Sequence, residues 1–330
     1  MSTLRILGST LLAFAAATAQ GQVTRYVGIC DASAAVGLGP DHFVVGDDEK
    51  HTLFVYRVGQ PIAVDQVDLG AYLGAITNAG DAEEVDIEGA ARIGDRIYWI
   101  ASHGSNGKGL PQPVRRRFFA TTAVENTLVP TVRPLATPPY TNLLEKALAD
   151  PKLAPLLERA SKLDPESEEG LSIEGLAATP NGELMIGLRN PRPHGQALVL
   201  PLRNPAAVLD KGADPLFGEV IRIDLGKRGI RSLEWSGSEY LIVGGPHGDR
   251  SKDPSALSFE LFRWSGPGAQ PTLVPQSKFA DLHPEALFNI KGSGRWYVLS
   301  DDGDMPVGDK KCKSKKVPDE KKGFRGTFLD

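Results

Sequence analysis

Three glutamates stand at the head of apolar runs, where a carboxylate needs a reason: Glu88 in DIEGAA, Glu174 in SIEGLA and Glu285 in HPEAL. Carboxylates brought together repel, so such a set requires a cation, an arginine or a shifted pKa. A hard divalent cation held by oxygen ligands is one solution, and calcium tolerates irregular oxygen cages best. His103, His247 and His283 would suit zinc, but no close-set His-x-x-x-His pair occurs, so a calcium-type ion is the expectation. The competing reading has each glutamate accept backbone amides from a neighbouring element and stitch the fold.

The elements that position these residues are legible because the pattern repeats. Carboxylate, small residue, apolar run, turn, strand and polar loop follow in that order around Glu88, Glu174 and Glu285. The same order recurs with Arg231 in GIRSLEW and Ser33 in DASAAV. The five anchors lie 55, 86, 57 and 54 residues apart. Self-similarity at such a period marks a propeller or an array. Each unit carries further β-branched and aromatic runs, such as HFVVG then TLFVYRV, or RIYWIA then RRFFATT. Four antiparallel strands per unit, arranged radially, make an all-β propeller of five blades, or six if one degenerate unit is hidden. The last unit lacks a fourth strand, and residues 22–29 are expected to close the ring against the C-terminal GFRGTFL. The long gap holds a helical insertion at 140–165, with leucines at helical spacing broken by Pro151 and Pro155. It contributes no anchor, so its removal is expected to leave the ring folded.

In a blade the innermost strand begins at the face where the second strand ends. The anchors and the loops after the second strands therefore meet at one mouth of the channel. Those loops supply Asp47, Asp48, His103, Arg189, His247, Asp301 and Asp304, while Asp31, Asp86 and His283 stand two residues before anchors. The expected division of labour gives the metal to Glu88, Glu174 and Glu285. Arg231 and Arg189 hold an anionic group, and His103 or His247 moves protons.

Composition narrows the class. A formal net charge of −4 gives no footprint for nucleic acid, and the basic run from Lys310 to Lys322 is broken by acids and Pro318, as in a solvated loop. Arg5, the apolar stretch to Ala17 and the small residues at 17–19 form a signal peptide spanning residues 1–19, which predicts a periplasmic or secreted protein with no membrane span. In an oxidising compartment the two cysteines, Cys30 and Cys312, are expected to pair. The remainder, 22–330, reads as one propeller domain, expected to be monomeric and to take a small anionic or ester ligand at the mouth.

From about Ile29 onward, DIEGAA, SIEGLA, HPEAL, LRNPRPHGQA and VLSDDGD resemble a bacterial family of exported propellers of unknown function. The Glu-Gly openings are also similar to phytase-like esterase propellers and, more distantly, to calcium-dependent lactonase and paraoxonase propellers. That resemblance implies a divalent cation at one channel mouth, acting on an ester, lactone or phosphoester. Glu88, Glu174 and Glu285 match the pattern; Ser33 and Arg231 depart from it. A non-catalytic module that binds a ligand or partner at the same mouth is the alternative function.

Overall fold

The computed structural model describes residues 23–77, 81, 83–248, 257–275, 279 and 281–329. The expected signal segment, 1–19, lies outside the described residues. The described chain folds into five four-stranded antiparallel sheets, which form a five-bladed β-propeller with few helices. The innermost strands are Ala32–Leu38, Ile87–Ile93, Ser172–Ala178, Gly229–Trp235 and Pro284–Ile290. Each touches the innermost strand of the next blade, and the fifth returns to the first.

The ring closes by sharing a blade between the two ends of the chain. In the fifth blade the third strand is Gly323–Phe328 and the outermost is Thr24–Val27, paired antiparallel from Thr24–Gly326 to Val27–Gly323. Aromatic packing supports this seam. Tyr26 stacks on Phe324 at 5.0 Å, meets Phe43 of the first blade edge-on at 5.2 Å, and shares a 2.8 Å hydroxyl hydrogen bond with Tyr297. A disulfide links Cys30 to Cys312, with their Cα atoms 5.9 Å apart and a sequence separation of 282. In a chain-entropy account a loop of this length contributes about 5 kcal/mol.

Hydrophobic side chains gather between blades. Five clusters among the described residues each join two neighbouring blades, because every sheet offers apolar residues to both of its faces. The cluster between the second and third blades also takes in the insertion. Its short helices, Leu143–Ala149 and Ala154–Leu157, bury Leu143, Leu144, Ala147 and Leu157, with Leu153 between them, against Tyr98, Phe118, Leu184 and Leu200. Tyr140 exchanges two backbone hydrogen bonds with Phe118 (2.7 and 3.0 Å), which extends the sheet into the insertion. The apolar face of the insertion thus belongs to the core, which argues against its being dispensable.

At the face opposite the anchors, Glu125 binds three blades together. It accepts the Arg92 guanidinium at 2.7 and 3.1 Å, the Gly39 amide at 2.7 Å and the Lys291 ammonium at 2.5 Å. Between the faces the channel is lined by Ser33, Ala34, Ala35, Gly89, Ala90 and Ala286, and leaves only about 10 Å³ of space. The anchor end is the wider one.

Candidate functional site

All five anchors sit at one kind of backbone irregularity. In each innermost strand the register skips a residue: Ala32 pairs with Asp47 and Ala34 with Gly46, passing over Ser33. The same skip passes over Glu88, Glu174, Arg231 and Glu285. A bulge leaves one residue outside the ladder and re-aims its side chain. This explains why a charged residue recurs in otherwise apolar strands. The small residue after it has a separate cause. A Cβ on Gly89 would lie 2.9 Å from Cβ of Leu176, and one on Gly175 would lie 2.7 Å from Cγ2 of Ile230. The Glu-Gly pair thus couples a re-aimed carboxylate to close packing against the next blade.

Four of the five bulges, those of Glu88, Glu174, Arg231 and Glu285, open onto a cavity of about 120 Å³, whose lining also includes Arg189 and Asp48. Its charges fall into two parts. On one side the anchors of three successive blades form a chain of alternating sign. Arg231 lies 3.0 Å from Glu174 and also pairs with Glu285. Arg189 meets Glu174 at 2.7 Å. Burial opposes the charge of Arg189, yet Glu174 and Glu88 more than offset it and its pKa rises. For Arg231 burial prevails over Glu174, and its pKa falls.

The other side is acidic. Glu88 is 9% exposed and makes no hydrogen bond or ion pair among the described residues. Burial, then Glu174 and Asp86, push its pKa well up. One carboxylate oxygen from each of Asp48, Asp86 and Glu88 lies within 4.8 Å of the others. Asp48 keeps a buried oxygen with no hydrogen-bond partner among the described residues, and burial together with Asp31 and Asp301 raises its pKa. Asp86 is braced by Arg115 at 3.2 Å and by the Ser102 hydroxyl. Behind them Asp31 and Asp47, each 1% exposed, also carry an oxygen with no hydrogen-bond partner among the described residues. Oxygen ligands about 2.3–2.6 Å from one calcium ion are at most about 5 Å apart, so this spacing suits a hard divalent cation.

These shifts fix a pH dependence. Burial carries Asp47 up to about 7, and burial with Asp86 does the same for Glu84. Both values lie above the unfolded ones, so the stability they contribute is full below about pH 4 and is lost as pH rises through about 7. His103 opposes them: burial lowers it to about 4, so its contribution is lost as pH falls from about 6.5 toward 4. Six raised carboxylates (Asp31, Asp47, Asp48, Glu84, Glu88 and Glu234) outweigh one histidine. Cation-free protein should therefore melt at a higher temperature at pH 5.5 than at pH 8. A divalent cation bound among the carboxylates of the mouth would flatten or reverse that trend, because it would take the place of the protons. Differential scanning calorimetry at the two pH values, with and without calcium, reads this directly.

Of the residues anticipated for chemistry, Glu88, Glu174, Glu285, Arg231 and Arg189 all line the cavity. His103 does not. It has a left-handed backbone (φ 56°), hydrogen-bonds the Ala101 carbonyl at 2.8 Å, and faces a small apolar cavity beneath Leu143, Leu144 and Leu157. His247 is turned to the Glu166 carbonyl at 3.0 Å, while its neighbours Pro246 and Gly248 form the lining. His283 is the histidine among the described lining residues. Glu166, Phe259 and Lys313 also line the cavity. Glu166 comes from the tail of the insertion, where the Pro165 carbonyl accepts Asn190 at 3.0 Å and Arg189 at 3.3 Å.

A sequence profile described as a protein of unknown function (DUF3616) matches residues 120–283. No curated protein matches the chain. Among solved structures, the chain is similar to a putative oxidoreductase (glucose dehydrogenase) from Thermus thermophilus, with 12% identity, 94% of this chain and 100% of that one covered, and a TM-score of 0.44. It is also similar to the PQQ-bound aldose sugar dehydrogenase of Streptomyces coelicolor, with 11% identity, 94% and 99% coverage and a TM-score of 0.40. A third is the glutaminyl cyclase of Myxococcus xanthus, with 10% identity, 94% and 96% coverage and a TM-score of 0.39. Likeness at this level says nothing about substrate or cofactor.

Proposed function

We propose that the protein is an exported propeller whose channel mouth holds a divalent cation of the calcium type and uses it on small esters or phosphoesters. The observation that carries this reading is the acidic triad of Asp48, Asp86 and Glu88, set at ligand spacing, with a buried Asp48 oxygen that has no hydrogen-bond partner among the described residues. Relative to the glutamates expected from sequence, the ion moves toward the second blade, since Glu174 and Glu285 are already paired with Arg189 and Arg231. A bound cation would act as a Lewis acid toward a carbonyl or phosphoryl oxygen and would lower the pKa of a bound water. His283 lines the same cavity and is the candidate to accept a proton from that water.

The second reading, a non-catalytic module that binds a ligand through the cation, has its own support. Arg189 and Arg231 are committed to Glu174, so neither is at liberty to hold an anionic substrate. Two measurements separate the readings. Metal analysis of purified protein before and after chelator tests the ion. Turnover across ester, lactone and phosphoester panels, with and without calcium, tests the chemistry. Calcium-dependent hydrolysis supports the first reading, bound ion without turnover supports the second, and absence of any divalent ion overturns both.

A further inference from the structure

We propose that Lys313 is a tethered counter-ion of the mouth, opposing the divalent cation across the shared carboxylate of Asp48, and that the Cys30–Cys312 disulfide holds it in place. This inference rests on the reading of the mouth as a cation site. Lys313 belongs to a loop between Arg295–Ser300 and Gly323–Phe328 of the fifth blade, and its side chain lines the cavity. The ammonium lies 3.6 Å from Asp304 and shares the cavity lining with Asp48 and Asp301. Other lysines of the same run serve the rim, as Lys311 does at 2.8 Å from Asp304.

The covalent arrangement puts these charges together. Cys30 immediately precedes Asp31 and Cys312 immediately precedes Lys313, so one disulfide clamps an acid and a base side by side. Backbone hydrogen bonds complete the clamp: Lys313 N to the Gly303 carbonyl at 2.9 Å, Cys312 N to the Met305 carbonyl at 2.8 Å, and Asp302 N to the Cys30 carbonyl at 2.9 Å. A long lysine in solvent would lose little by swinging away; pinned at its own backbone and its neighbour's sulfur, this one stays near the carboxylates. A fixed positive charge there offsets part of their repulsion in the ion-free protein. The same charge repels an arriving divalent ion, a repulsion that solvent and salt weaken because the Lys313 side chain is 39% exposed. The consequence is an ion that exchanges, rather than one held permanently.

Calcium titration calorimetry on chelator-stripped protein tests this with Lys313→Gln, Lys313→Arg and a Cys30→Ala/Cys312→Ala double variant. Lys313→Gln should bind calcium at least tenfold more tightly, Lys313→Arg should stay within about threefold of wild type, and the cysteine variant should shift in the direction of Lys313→Gln. Without calcium, Lys313→Gln should melt below wild type, and saturating calcium should abolish that difference. Unchanged or weaker binding by Lys313→Gln overturns the proposal. Should wild type take up no ion, the cation-site reading fails by itself. Lys313 is then judged by a double-mutant cycle with Asp48→Asn in thermal melts. A counter-ion requires that Asp48→Asn remove the cost of Lys313→Gln, and additive effects overturn it.

Discussion

Replacing Arg231 with glutamine should lower stability by about 3–5 kcal/mol, the usual cost of removing one partner from a buried ion pair. The guanidinium is the link in a chain that crosses three blades, contacting Glu174 and Glu285 at once. Its loss leaves two buried carboxylates, with only Arg189 among the described residues still at Glu174. Because the cost arises from uncompensated charge, it should be partly recovered when Glu174 and Glu285 are also changed to glutamine. Urea denaturation of the single and triple variants measures both numbers. A loss below about 1 kcal/mol in Arg231→Gln would mean that the chain contributes no more than an exposed pair does.

Deleting residues 141–163 across a short Gly/Ser linker should abolish the cooperative melt. Four leucines of this segment, Leu143, Leu144, Leu153 and Leu157, are buried against the second and third blades. Burying a leucine contributes roughly 1.5–3 kcal/mol, so the four together approach the whole stability of an ordinary domain. The linker itself costs little, since loop closure grows only slowly with length. The milder test is Leu157→Ala, which should destabilise by about 2–5 kcal/mol. If the deleted chain keeps a sharp transition near the wild-type temperature, the insertion is decoration after all.

The propeller is legible in the sequence because each blade repeats a strand–turn–strand pattern around a polar residue that its apolar strand does not need. Pairing of the N-terminal strand with the C-terminus follows from counting strands in the last unit. The bulge is harder to read, although an anchor residue followed by a small one, in every blade, is its signal. Strict alternation along the strand makes Asp86 and Glu88 neighbours on one side but does not mark them as joint ligands. The role of the insertion is hidden for a different reason. Helical spacing of Leu143, Leu144, Ala147 and Leu148 shows that one face is apolar, but not that a groove between two blades is waiting for it. Lys313 is concealed in a run of lysines that looks solvated, and only the adjacent disulfide distinguishes it. The loop that carries His103 leads to the mouth, but its left-handed backbone turns the ring beneath the insertion.

The claim on which the rest depends is that Glu88, Asp48 and Asp86 form a divalent-cation site. Calorimetric titration of chelator-stripped wild type and Glu88→Gln with calcium tests it most directly. The account predicts one ion per chain for wild type and at least tenfold weaker binding for Glu88→Gln. It also predicts that the ion-free variant is as stable as wild type or more so, because the carboxylate lost is one that burial and its neighbours already disfavour. Equal affinity in the two proteins, or a destabilised Glu88→Gln with unaltered binding, would contradict it.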